Sequence, residues 1–137
     1  MRYAIFLLAA SFVATTQAGE LKLEFYGNGL SGKVVMVDLF NEKSTFMVEN
    51  KSYRAIQVKG TSDRFGVVIP DLPAGRYAVA AYVDTNSNSK LDTNFTGAPT
   101  EPYGFSRDAR GMFGPPSFDE AAFEVGNSSV TQSIRLH

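Results

Sequence analysis

The sequence predicts an all-β chain: a single antiparallel β-sandwich of about seven strands with one long ordered loop. Three observations carry this. Short segments with a two-residue hydrophobic period recur along the chain. Clusters of Gly, Pro, Asn and Asp separate them. No helical template fits more than about one turn.

The first residues read as a targeting segment rather than a strand. Met1-Arg2 supplies a positive end, Tyr3 to Val13 is an uncharged apolar run, and Thr16-Gln17-Ala18 has the small-x-small pattern that signal peptidase reads. The run is too short to cross a bilayer core of about 30 Å comfortably. The reading is a signal peptide over 1–18 and one domain over 19–137, exported to the periplasm or the cell exterior. No later stretch is apolar for long enough to span a membrane, so no membrane span is expected in the mature chain. The sequence has no cysteine. That removes a lipid-anchored N-terminus and disulfide staples, and suits a bacterial periplasmic protein.

The elements follow in order. Leu21, Leu23 and Phe25 alternate with Lys22, Glu24 and Tyr26, as in a half-buried strand, and Gly27-Asn28-Gly29 ends it. Lys33 to Phe40 is nearly continuous and β-branched, as a central strand is. Asn41 to Asn50 is mostly polar, with Phe46 and Met47 among its apolar residues, and reads as a loop or loose edge. Tyr53 to Lys59 and Arg64 to Ile69 alternate again on either side of a Gly60–Asp63 turn. Asp71-Leu72-Pro73-Ala74-Gly75 is a turn. The strand after it, Arg76 to Val83, puts Tyr77, Val79, Ala81 and Val83 on one face. DLPAGRY also suits a tyrosine corner, in which Tyr77 bonds back to upstream backbone. Phe118 to Val125 and Ser129 to Leu136 read as two last strands joined by a Gly126-Asn127 hairpin turn.

Between them, Asp84 to Ser117 carries no strand pattern and is far longer than ordinary connections. Phe95, Tyr103, Phe105, Met112 and Phe113 are too many apolar groups for a disordered tract, so the loop is expected to pack down. It opens with Asp84-Thr85-Asn86-Ser87-Asn88-Ser89-Lys90-Leu91-Asp92. Calcium takes six to eight hard oxygen ligands, and a curled loop with oxygen-bearing side chains at alternate positions turns them inward. The candidate ligands are Asp84, Asn86, Asn88, the backbone carbonyl of Lys90, and Asp92, with Asn94 or Glu101 completing the shell. The spacing follows the first part of an EF-hand loop. Ser89 stands where that loop has its turn glycine, and Phe95 where it has its bidentate Glu. Leu91, between ligand positions, is expected to anchor the loop to the core. A solvated turn of Asx type explains the same residues without a metal.

The second motif, YGFSRDARGMFGPPSFDEAAF over 103–123, together with LPAGRYAVAAYVDTNSNSKLDTNF, resembles a family of exported bacterial proteins catalogued as domain-of-unknown-function family 2141. The resemblance spans essentially the whole mature chain. It implies an immunoglobulin-like or transthyretin-like sandwich and an envelope location, and carries no activity. Read from the residues alone, Tyr103, Phe105 and Phe113 form a lid over one sheet end or, with Arg110, line a shallow partner groove. Arg107 and Arg110 pair with Asp108, Asp119 or Glu120, or present an anion site.

Catalysis is not expected. The one histidine is the last residue, His137, and cysteine is absent, so Ser-His-Asp and Cys-His systems and ordinary zinc sites are missing. Asp119 and Glu120, adjacent on an expected strand, would face opposite ways and make a poor glycosidase pair. The formal charge is −1 with no basic stripe, which excludes nucleic acid. The function expected is therefore a secreted, calcium-stabilised binding module whose partner is a protein, a glycan or an envelope component. The alternatives are a structural accessory domain without ligand, a carbohydrate-binding module, for which the lack of Trp is unfavourable, and last a carboxylate-based hydrolase.

Overall fold

The computed structural model describes residues 9–12 and 18–137, so the expected leader falls largely outside the described residues. Eight strands form two sheets. The first sheet holds β1 (Gly19–Gly27), β4 (Arg64–Leu72) and β8 (Ser129–Leu136) in the order β4-β1-β8. The second holds β2 (Val34–Phe40), β3 (Arg54–Lys59), β5 (Gly75–Val83) and β6 (Tyr103–Phe105) in the order β3-β2-β5-β6. A further short strand, β7 (Phe123–Val125), pairs with the start of β5. No described helix is long and apolar enough to cross a membrane.

The period-two pattern decides which faces meet. Leu21, Leu23 and Phe25 of β1 are fully buried while Lys22 and Glu24 face water. Val35, Val37 and Leu39 of β2 and Tyr77, Val79, Ala81 and Val83 of β5 face them across the gap, and one apolar cluster joins the two sheets. The expected tyrosine corner is present: the Tyr77 hydroxyl donates to the Pro73 carbonyl oxygen at 2.6 Å.

The opposite face of the second sheet is also covered. Phe40 of β2 and Ala78 of β5 pack with Phe105, Phe118, Ala121 and Ala122 in a second cluster, against which Phe46 and Tyr103 lean. This cluster decides what the long loop does, and three sequence expectations change with it.

First, Phe118 to Val125 is not one strand. Phe118–Ala121 is a single helical turn, α1, capped by Ser117, whose side chain accepts from the Glu120 backbone N–H while the Glu120 carboxylate accepts from the Ser117 N–H. Second, Gly126-Asn127 does not turn a hairpin. β7 lies on β5 and β8 lies on β1, so the chain crosses between sheets there. Third, β8 runs parallel to β1, so the sheets are not purely antiparallel. The eighth strand, β6, lies inside the stretch that carries no strand pattern. It also links the sheets: Tyr103 and His137 exchange backbone hydrogen bonds, each of 3.2 Å.

Candidate functional site

The loop that follows β5 is organised by carboxylates. Asp84 is only 7 % exposed. Its Oδ1 accepts from the Asn88 N–H at 3.1 Å and its Oδ2 from the Ser89 N–H at 2.9 Å, which curls the chain around its side chain. Ser87 and Ser89 take left-handed backbone, φ 58° and 60°, so the turn that glycine favours is adopted by serine. Asp92 closes the curl: its Oδ1 accepts from Asn88 Nδ2 at 2.6 Å, and its Oδ2 from Asn86 Nδ2. Asp84, Asn86, Asn88 and Asp92 are thus brought together, as the alternate spacing requires.

Glu101 does something the sequence did not suggest. It is 5 % exposed and clamps the loop from behind. Its Oε2 accepts from the Thr85 N–H and hydroxyl at 2.6 and 3.0 Å, and its Oε1 from the Asp92 N–H at 2.9 Å. Asn94 Oδ1 likewise accepts from Thr96 and Ala98. The acceptor oxygens of both residues are engaged with the chain, as are those of Asp84 and Asp92. Among the described residues no three Asp, Glu, His or Cys side chains form a metal-holding group. Leu91 is half-buried and belongs to neither apolar cluster, so it is not the core anchor expected. Burial first, then Asp84, Asp38, Glu101 and Asp92, push the Tyr82 phenol up to about 12.

The second motif divides. Tyr103, Phe105 and Arg110 line a cleft of about 410 Å³ together with Tyr26, Arg135 and His137. Phe105 is buried at its back and Arg110 reaches His137 Nδ1 at 3.1 Å. Phe113 lines none of it and is fully exposed, as are Phe95 and Met112. These three do not pack down as the loop's apolar content suggests. Arg107 donates to the Ala122 carbonyl oxygen at 3.4 Å instead of pairing with an acid. Asp108 accepts from the Tyr26 hydroxyl at 3.2 Å and the Arg135 N–H at 3.1 Å.

Asp119 and Glu120 lie in the first turn of α1, not on a strand. Asp119 bridges Lys43 and Arg76 at 3.0 and 3.1 Å, and Glu120 closes the helix cap.

A family model described as "Uncharacterized protein conserved in bacteria (DUF2141)" matches residues 29–133. The chain belongs to this family. The matched span contains the 84–101 loop, the second apolar cluster and the Tyr103–Phe113 stretch, and omits β1 and Arg135 to His137 at the cleft. DUF2141 membership thus bears out the sequence resemblance. No curated protein and no solved structure matches the chain.

Proposed function

We propose that the chain is an exported, calcium-stabilised binding module without catalytic activity. The 84–92 loop is its ion site, and the cleft beside Tyr103, Phe105 and Arg110 is its partner face. The same reading takes the two sheets as one immunoglobulin-like or transthyretin-like sandwich.

The observation that carries it is the convergence of Asp84, Asn86, Asn88 and Asp92 around a curl with left-handed Ser87 and Ser89. The donors are all oxygen-bearing, which fits a hard cation and not zinc. Turning either Asn amide over exchanges Nδ2 for Oδ1 and presents another oxygen beside Asp92. The Lys90 carbonyl is the backbone donor in this set. Such an ion would tie the start of the long loop, while Glu101 holds its return.

A structural accessory domain without ligand is the second reading, favoured by the burial of Phe105 and Phe118 in the second cluster. The carboxylate-based hydrolase has less support, because Asp119 and Glu120 are both engaged in ion pairs and the helix cap.

Thermal unfolding separates the readings. Chelated protein is melted with and without millimolar calcium, beside an Asp84→Asn, Asp92→Asn variant. A site filled at about a hundredfold over its Kd adds roughly 2.7 kcal/mol, or on the order of 10 °C for a domain of this size. A calcium-dependent rise that the variant lacks supports the ion site. No rise up to millimolar calcium sinks it and leaves the accessory domain.

A further inference from the structure

We infer that the 109–115 turn docks this protein on an anionic phospholipid bilayer, with Met112 and Phe113 as the inserting tip and Arg110 and Arg135 as headgroup contacts. Met112 and Phe113 are 90 % and 100 % exposed. They stand between Gly111 and Gly114, both of which line the cleft that also holds Arg110, Arg135 and His137. The apolar tip therefore rises directly from a polar, cationic rim.

The turn is built to hold that tip out. A side chain on Gly111 would run into the Gly114 carbonyl oxygen and the Pro115 backbone, so the loop closes too tightly there for any residue but glycine. Pro115 and Pro116 fix the exit, and Pro116 is buried. A large apolar pair held in water by a tight turn is stabilised where an apolar phase receives it.

The charges around the tip select the surface. Arg64, Arg110 and Arg135 line this cleft and the one adjoining it. Among the described residues no guanidinium nitrogen of these three lies within 4.0 Å of a carboxylate oxygen. Two acids line the same clefts, Asp63 and Asp108. Each keeps its charge while accepting from neutral donors, Asp63 from the Leu30 N–H and Asp108 from the Tyr26 hydroxyl and the Arg135 backbone N–H, so three arginines stand against two carboxylates. The His137 ring responds to the same field. Burial first, then Arg110 and Arg135, lower its pKa, against Asp108. In a chain of net charge −1 this is a local cationic excess, opposite in sign to the carboxylates around Tyr82. A free anion would leave the tip without a role, and a neutral apolar partner would leave the arginines without one. An anionic bilayer uses both.

The inference takes the cleft as the binding face from the reading above but does not need calcium. Its test is co-sedimentation of residues 19–137, which hold every described strand and both apolar clusters, with phosphatidylcholine vesicles with and without phosphatidylglycerol. Each is run in chelator and in calcium, so that loss of the ion site and loss of docking are read separately. Binding to the phosphatidylglycerol vesicles in chelator is expected. It should weaken at least about tenfold in Met112→Ser, Phe113→Ser, whose exposed positions leave the melting temperature unchanged. It should weaken roughly fivefold for each arginine removed in Arg110→Gln, Arg135→Gln. No binding, equal binding to both vesicle types, or binding kept in the Ser variant overturns the inference. So does a concentration-dependent dimer that the Ser variant breaks without any vesicle binding, which would assign the tip to a second copy.

Discussion

The Ser106 hydroxyl accepts a hydrogen bond from the Val79 backbone N–H at 2.9 Å, and donates its own proton to the Ala121 carbonyl oxygen at 2.6 Å. It fills a gap in a sheet edge. β6 pairs with Ala80 to Tyr82 and β7 with Gly75 to Tyr77, which leaves the middle of β5 without a strand on that edge, while β2 pairs with it on the other. Ser106 is fully buried there and stands in for the missing ladder. Ser106→Ala orphans a buried donor and a buried acceptor at once. The expected cost is about 2–4 kcal/mol, at the upper end for a single hydroxyl. Chemical denaturation measures it. A cost below 1 kcal/mol would mean that water or a shifted β7 repairs both groups.

Tyr77 closes the turn at the other end of β5. Its hydroxyl bonds to Pro73 while its ring sits in the main core. Tyr77→Phe keeps the ring and loses the bond, with an expected loss of about 1 kcal/mol and an unchanged circular dichroism spectrum. A larger loss would place the ring, not the bond, under strain in the variant.

Glu101 holds both ends of the 84–92 curl through Thr85 and Asp92. Glu101→Gln keeps the shape but replaces charge-assisted bonds with weaker ones, and its amide nitrogen has no acceptor in either partner N–H. Amide hydrogen exchange at Thr85 and Asp92 should accelerate, while exchange in β1 and β5 stays at the wild-type rate. Global acceleration would make Glu101 part of the cooperative core rather than a clamp on one loop.

How far these features were legible depends on range. The inward faces of β1 and β5 are visible in the sequence because period two is a local property, and so is the tyrosine corner, which spans four residues. Asp84, Asn86, Asn88 and Asp92 are visible for the same reason. The Glu101 clamp is not, because its partners lie up to sixteen residues away across an irregular loop. Nor is the parallel pairing of β1 with β8, which joins the two ends of the domain and leaves no trace in either strand. Tyr103-Gly104-Phe105 is too short to display a period. The α1 turn had a usable signal: Ser117 and Glu120 stand three apart as in a capping box, ahead of Ala121 and Ala122. Alternating apolar residues around it favoured a strand instead.

Two carboxylates should respond to acid in opposite directions. Asp119 is held below its ordinary 3.8, first by the Lys43 hydrogen bond and then by Arg76. Its folded pKa is depressed, so its contribution to stability is present above 3.8 and is lost as pH falls through the lower folded value. Asp38, on the outer face of β2, is raised above 3.8 by burial, with Ser52 offsetting part of the shift. The folded state binds that proton more readily, so Asp38 costs stability above its raised pKa, and the cost is relieved as pH falls towards 3.8. Asp38→Asn should therefore stabilise the protein at neutral pH, and the gain should vanish below 3.8. Asp119→Asn should do the reverse at neutral pH, by a small amount because the carboxylate is solvent-exposed. Melting curves of both variants between pH 3 and 7 separate the two. Parallel profiles would remove the assignment of opposite shifts.

The last prediction concerns how the two sheets meet. Gly104 sits in the middle of β6, where the backbone of β8 crosses it closely enough that any Cβ would collide with the Arg135 carbonyl oxygen and press on the Ile134 side chain. On its other side β6 is hydrogen-bonded to Ala81 of β5. The strand is thus held between both sheets and cannot retreat from the added methyl without breaking one of its contacts. The neighbouring Tyr103–His137 backbone pair depends on the same approach. Gly104→Ala should cost about 1–3 kcal/mol through overpacking, even though alanine has no conformational objection to a strand. The loss should be local in character: exchange of the Tyr103 and His137 amides rises most, and the cleft walls at Tyr103, Arg135 and His137 shift together. If vesicle binding falls in this variant while Met112 and Phe113 are intact, the spacing of Arg135 from the tip, and not the tip alone, sets the affinity.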